Sequence, residues 1–194
     1  MKTNTRFILL TCLLLCFYAC DRKPYPQSLI IADSLASIQP DSAITLLKTL
    51  EDNIKTESES TQMYYRLLCI KANDKAYIRH TSDSLILPIL HYYIKKEDEK
   101  HLPEAYYYAG RVYRDLGDAP QALDYFEKSL ETLPKNKKHK LKSYIYSQMG
   151  TLFLYQGLYN EALEIFKKKY ACDIDLKDSV GIIYTLRDIA GTYR

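Results

Sequence analysis

Residues 106–134 read Tyr106-x2-Ala109-Gly110-x2-Tyr113, then Gly117, Ala122-x3-Phe126 and Pro134. Forty residues on, the same grammar returns as Tyr146-x2-Met149-Gly150-x2-Phe153, Gly157 and Ala162-x3-Phe166. A further forty bring Leu186-x2-Ile189-Ala190-x2-Tyr193. Spacings of three and four put these residues on one face of a helix, so each period predicts a helix A, a break at glycine and a helix B. Gly110, Gly150 and Ala190 remove side-chain bulk where helix A meets helix B, and Ala122 and Ala162 do so from the other side. Tyr113, Phe153, Phe126 and Phe166 fill the space beside those close contacts. Gly117 and Gly157 stand where a helix end needs a residue tolerant of positive φ. Recurrence of all these positions at one offset is the signature of stacked helical repeats.

Composition agrees. With 47% hydrophobic and 26% charged residues, and only 6 Gly and 7 Pro in 194 residues, the chain is neither disordered nor a turn-rich β protein. Of its 27 basic residues, Lys2 and Arg6 lie before the first acidic residue, which leaves 25 basic against 24 acidic in the remainder. That near-neutral balance makes no case for a nucleic-acid partner, which needs a concentrated basic face. Tyrosine is abundant, 19 residues, and tryptophan absent.

The repeating residues resemble the tetratricopeptide repeat pattern W-x2-L-G-x2-Y…A-x3-F…P, a helix–turn–helix of 34 residues. Tyr106, Tyr146 and Leu186 take the place of the tryptophan; Pro134 matches the terminal proline, and Ile174 stands where a second would fall. The extra residues of the longer period fall between helix B and the next helix A, around Lys135 to Lys140 in the first case. The resemblance implies an all-α fold, a right-handed α-solenoid with a period of about 40 residues, whose role is protein–protein scaffolding without catalysis. It also implies that one side of each helix A lines a concave face. Carried onto this sequence, that face comprises Glu104, Tyr107, Arg111, Arg114 and Asp115; Tyr144, Ser147, Thr151, Leu154 and Tyr155; and Tyr184, Arg187 and Arg194. These rigid aromatics and guanidinium groups suit a protein or peptide segment bearing acidic and apolar residues. The face lacks the lysine and asparagine pattern of modules that clamp the C-terminal carboxylates of chaperones. Tyr106, Tyr113, Tyr146 and Tyr193 take core positions in the same register.

The repeats are clear over 103–194, where two full units precede a last helix A, and degenerate over 28–102. A short helix from Ser28 to Ile38 pairs with one opened by Pro40-Asp41 and carrying Ala43 and Leu47. Gln62 to Tyr77 and Asp83 to Lys96 make a second, weaker pair whose register over 62–96 is ambiguous. Pro88 would kink the second of these unless the helix starts late. In the last helix, the seam of Ile182, Leu186, Ile189 and Tyr193 is expected either to cover the preceding unit as a cap or to await a further helix B beyond Arg194.

The first residues carry an address. Lys2 and Arg6 precede an apolar run from Phe7 to Tyr18, too short to span a bilayer at ~20 residues, which reads as an export signal over 1–19. Phe17-Tyr18-Ala19-Cys20 resembles the lipobox of bacterial lipoproteins, with Phe17 where leucine is usual. That resemblance implies a lipidated Cys20, a tether over 20–27 punctuated by Pro24 and Pro26, and attachment to a membrane of the bacterial cell envelope, at its periplasmic face or the cell surface. Cys69 and Cys172 remain for the folded part and read as small hydrophobes.

Catalytic signatures are missing. His80, His91, His101 and His139 lack ligand spacing, there is no phosphate-cradling glycine loop, and no cofactor or metal is expected. Asp173, Asp175 and Asp178 read as a solvated loop between repeats, and Lys135, Lys137, Lys138, Lys140 and Lys142 as an exposed one. The expected function is therefore a membrane-anchored, non-enzymatic adaptor. The alternative is the exported sensory part of a larger transmembrane regulator. Capture of glycan or nutrient is a more distant third.

Overall fold

A computed structural model describes residues 24–135 and 138–193. Those residues are all-helical: α1 (Gln27–Ile38), α2 (Pro40–Ile54), α3 (Glu59–Lys75), α4 (Ile86–Lys95), α5 (Leu102–Leu116), α6 (Ala119–Thr132), α7 (Lys140–Tyr155), α8 (Tyr159–Leu176) and α9 (Ser179–Ala190). They stack as antiparallel pairs, α1 with α2, α3 with α4, α5 with α6 and α7 with α8, and α9 follows on α8. The α5–α6 and α7–α8 pairs are the most closely packed, and α4 packs more on α5 than on its own partner α3.

Local chemistry sets the turns. Gly117 adopts φ +87° and Gly157 φ +73°. Beyond each, the next amide folds back, Asp118 to the Tyr113 carbonyl at 3.0 Å and Leu158 to that of Phe153 at 2.9 Å, which satisfies carbonyls left open at the helix end. Asp118 then caps α6 by accepting from the Gln121 amide at 3.1 Å, and Asp178 caps α9 by accepting from Gly181 at 3.0 Å. Pro88 does not kink its helix. Because α4 begins at Ile86, the ring falls in the first turn, where its missing N–H would have no helical partner. The two periods are used differently: α6 ends after 14 residues with Leu133 extended at its C-cap, whereas α8 runs 18 residues.

The interior falls into two clusters along the stack. Leu29, Ala32, Ala43, Leu47, Tyr64 and Leu68 form one cluster; Ile86, Ile89, Tyr93, Tyr108, Val112, Phe126 and Ile145 belong to a second. Tyr25, from the expected tether, is not free: its ring stacks on Tyr64 with centroids 4.3 Å apart and meets His101 at the start of α5 edge-on. Among the described residues no helix is long and apolar enough to cross a membrane. Cys69 and Cys172 are not bridged.

Three expectations are corrected. Asp173 is not in a solvated loop; it lies inside α8, fully buried, and Asp178 is a cap. Tyr106, Tyr113 and Tyr146 are half-buried, but Tyr193 is 74% exposed. In α9, Ile182 and Ile189 are half-buried whereas Leu186 is exposed with Tyr193, so the expected seam is split between two faces.

Candidate functional site

The A-type helices α1, α3, α5 and α7 lie side by side, and a row of charges runs across three of them. The Lys71 ammonium of α3 donates to Asp33 of α1 at 2.7 Å and to Glu104 of α5 at 2.8 Å. Burial alone would lower its pKa, but the Glu104 and Asp33 carboxylates more than offset this and raise it, so Lys71 is held protonated. One turn on, at the i,i+4 position on the same face, Lys75 has no carboxylate partner among the described residues. Its ammonium sits 4.8 Å from the centre of the Tyr144 ring of α7, and burial pushes its pKa down. Around it opens a cavity of about 470 Å³ walled by Lys71, Glu104, Tyr107, Tyr108, Leu141 and Tyr144, among others.

The structure redistributes the expected site residues. Tyr144 faces this cavity, 38% exposed. Tyr107 reaches its wall but belongs to the core: only 3% exposed, it packs its ring 5.9 Å from Phe126, and burial pushes its hydroxyl pKa up to about 12. It is therefore not an open contact residue, because the step from α5 to α6 closes over it. Arg111 is likewise not available. Its guanidinium is paired with the buried Asp74 carboxylate of α3 at 2.6 Å, which cross-links two repeats instead of awaiting a partner. Arg114 is held by Asp115 at 2.8 Å and by Gln148 of α7. Ser147 and Thr151 are half-buried, and the Thr151 hydroxyl donates to the Ser147 carbonyl at 2.8 Å within its own helix. Tyr155 is 82% exposed, and Tyr184 carries the Arg187 guanidinium 5.2 Å over its ring; these three do not line the cavity. Cys20 and Arg194 lie outside the described residues.

The arrangement is a packed array of helix pairs, the α5–α6 and α7–α8 pairs each sealed by a phenylalanine over a glycine, with a polar-and-aromatic cavity among the A helices. The tetratricopeptide repeat family model matches residues 101–175. Residues 101–175 are tetratricopeptide repeats, and the described chain has the fold of a tetratricopeptide-repeat solenoid. A solved structure of nearly identical tetratricopeptide-like repeats, described as a kinesin light chain of Podosopora anserina, is similar over 86% of this chain and 84% of that one, with TM-score 0.63 and 15% sequence identity. At that identity the likeness concerns the fold. No curated protein sequence matches the chain. Tetratricopeptide repeats serve as protein-interaction scaffolds, and the fold is typically non-catalytic. Among the described residues no cluster of His, Cys, Asp or Glu could hold a metal ion.

Sequence reasoning missed Lys71, Lys75 and Tyr108 in this tetratricopeptide-repeat solenoid. The two lysines lie on α3, inside the stretch whose register was ambiguous, so no family position could be carried onto them. Their four-residue spacing was the one available signal. Tyr108 follows two tyrosines, and nothing in a Tyr-Tyr-Tyr run says that it, like Tyr107, is buried behind the cavity wall.

Proposed function

We propose that the chain is a non-catalytic scaffold that holds a protein segment in the cavity between α3, α5 and α7. An acidic side chain of the segment would sit against Lys75, and an apolar one against Leu141 and Tyr144. The observation that carries this reading is Lys75: a desolvated ammonium without a carboxylate, set beside aromatic walls. A carboxylate arriving there gains a charge-assisted contact and relieves an uncompensated cation. The walls supply the rigid aromatic area that dominates interface energies. We further propose that Cys20 is lipidated after export, so that the scaffold works at a membrane of the bacterial envelope, where anchoring raises the local concentration of module and partner.

The test uses three sets of fluorescein-labelled decapeptides, acidic–aromatic, basic–aromatic and neutral, titrated into the chain by anisotropy. The acidic–aromatic set should bind best, and Lys75→Gln should weaken it about tenfold, equivalent to about 1.4 kcal/mol. Equal binding of all three sets, or no effect of Lys75→Gln, sinks the groove reading. Anchoring is checked separately: Cys20→Ala should release the protein from the membrane fraction and abolish incorporation of labelled palmitate.

A further inference from the structure

The connection between α6 and α7 gathers positive charge that the fold leaves unneutralised. Lys135, Lys138 and Lys142 are exposed and line, with His139, Cys172, Asp175 and Leu176, a cavity of about 250 Å³ against the end of α8. Asp175 is the one carboxylate in that lining. Lys138 donates to the Asp175 backbone carbonyl at 2.5 Å, and none of the three ammonium groups is paired with a carboxylate among the described residues. Lys55, Lys128, Lys140 and Lys167, also on the surface, are each paired, with Asp52, Asp124, Asp178 and Glu164. The charges also run against their helix. The first turn of α7 holds Lys140 and Lys142 and no acidic residue, whereas α2, α3, α5 and α8 open on Asp41, Glu59, Glu104 and Glu161. The N-terminal end of a helix is partially positive, so lysines there add to a field that attracts anions. An arrangement that costs local stability, with no partner inside the chain, marks a place where function sets the residues.

The cavity lies at the end of the stack from which the tether leaves. Tyr25, two residues before α1, shares a hydrogen bond with Ser60 in the first turn of α3 at 3.3 Å and meets His101, just before α5, edge-on. The Lys100 ammonium stands 5.8 Å from the centre of the same ring. Lys100 and His139 wall the cavity between α5 and α7, and His139 also lines the lysine cavity. The N-terminal ends of α1, α3, α5 and α7 therefore share one edge of the array, and Tyr25 holds the tether to it. Cys20 is five residues before Tyr25, a reach of at most about 18 Å. The neighbouring α4–α5 turn is mixed, with exposed Glu97 and Glu99 against Lys95, Lys96 and Lys100, so positive charge is concentrated at the α6–α7 connection.

We propose that this cavity receives the phosphate of an anionic phospholipid headgroup, and that the edge carrying it lies on the membrane to which Cys20 is anchored. Ammonium groups make charge-assisted hydrogen bonds to phosphate oxygens, and an anionic surface attracts each lysine held near it. Attachment at two points of one edge orients the array, which a single short tether does not. The inference rests on the anchoring proposed above for the nearness of the membrane, and is independent of the groove at Lys75.

The test uses the chain with Cys20→Ala, which takes the acyl chain out of the measurement, and co-sedimentation with two kinds of vesicle. One is phosphatidylcholine alone and the other an equal mixture with phosphatidylglycerol. Binding to the mixed vesicles should be at least about tenfold tighter, and Lys135→Gln, Lys138→Gln and Lys142→Gln together should remove that gain. Removing as many charges within α2, α3 and α8, by Lys48→Gln, Arg66→Gln and Lys168→Gln, should change binding by less than about twofold. All six positions are exposed, the residues before Tyr25 are common to every protein compared, and the helical spectrum will show that both triple variants are folded. Equal binding to the two kinds of vesicle would overturn the inference, and calorimetry with inorganic phosphate would then show whether a free anion is the ligand instead. Equal loss in the two triple variants would overturn it as well, because net charge and not the cavity would be responsible. Since no acyl chain is present, failure here leaves the palmitate result standing, and failure of palmitate labelling leaves this result standing.

Discussion

Replacing Gly150 by alanine tests the register of the whole array. A Cβ there would lie 2.4, 2.7 and 2.8 Å from Cε1, Cδ1 and Cζ of Phe166, where carbon atoms at rest stay about 3.5–4.0 Å apart. Phe166 is fully buried, so the ring has to move by about 1 Å against neighbours that are themselves packed. Overpacking of this kind costs about 1–3 kcal/mol, against which alanine gains about 1 kcal/mol of helix propensity over glycine. Gly150→Ala should therefore destabilise by up to about 2 kcal/mol, and Gly150→Val by more, because valine adds bulk and gains less propensity. Urea titration followed by circular dichroism measures the change. Repeat arrays can melt in sections, so amide exchange in α7 and α8 should report the same loss locally. The double variant with Phe166→Leu isolates the cause: removing the ring should restore about 1 kcal/mol of the alanine penalty in a mutant cycle. If Gly150→Val is as stable as the parent, or if the cycle shows no coupling, the glycine does not mark the α7–α8 contact and the argument fails.

Other perturbations separate roles within the charged rows. Asp173→Asn leaves the Lys169 ammonium buried without its carboxylate and should cost about 3 kcal/mol at neutral pH by the same urea titration. Burial raises the Asp173 pKa, but hydrogen bonds from Lys169, Ser143 and Thr185 outweigh it and hold the carboxyl below its ordinary 3.8. A depressed carboxylate pKa contributes stability that is present above the unfolded value and lost as pH falls through the folded one. The gap between parent and Asp173→Asn should thus close below about pH 4. Lys71→Met strands two half-buried carboxylates and should destabilise by about 1 kcal/mol, whereas Lys75→Met removes an uncompensated cation and should be neutral or stabilising. Thermal melts of the pair will show opposite signs if Lys75 is the free group. Gly117→Ala meets no atom within 4 Å, yet its φ of +87° strains any side chain, so a loss of about 1 kcal/mol is expected from conformation alone.

Much of the fold was legible because the repeat writes one physical requirement several times. Gly110 under Phe126 and Gly150 under Phe166 need no structure to be paired, and Gly117 and Gly157 announce their turns. The degenerate half was legible as helices but not as a register, since α4 packs on α5 more than on α3 and no glycine marks a close contact there. The candidate site was read less well for a related reason. A family position says which way a side chain starts and is silent about what it meets. Arg111 starts toward the concave face and ends on Asp74, a residue of another repeat whose place depends on the superhelical stacking. Tyr107 starts there too and is covered. Lys75 could be recognised as unpaired only once its ring neighbour was known to be Tyr144 and the nearby Asp74 and Glu104 carboxylates were found engaged by Arg111 and Lys71.

The forty-residue offset also reveals how the last repeat junction differs from the one before it. Ala105, Ile145 and Thr185 occupy one position, and Val112, Leu152 and Thr192 another; all six are buried. On the facing helices, Ser129 and Leu133 of α6 correspond to Lys169 and Asp173 of α8. The contact between α6 and α7 is therefore replaced, on both sides at once, by a hydrogen-bonded ion pair with Thr185 between α8 and α9. Changing only one side would strand a buried charge at a cost of several kcal/mol, so Lys169, Asp173 and Thr185 act as a unit. Apolar surfaces tolerate rotation and slippage, whereas a buried network satisfies its donors and acceptors in one arrangement. The junction thus fixes the orientation of α9, with Ile182 and Ile189 half-buried on the near side and Ile183, Leu186 and Tyr193 exposed on the other.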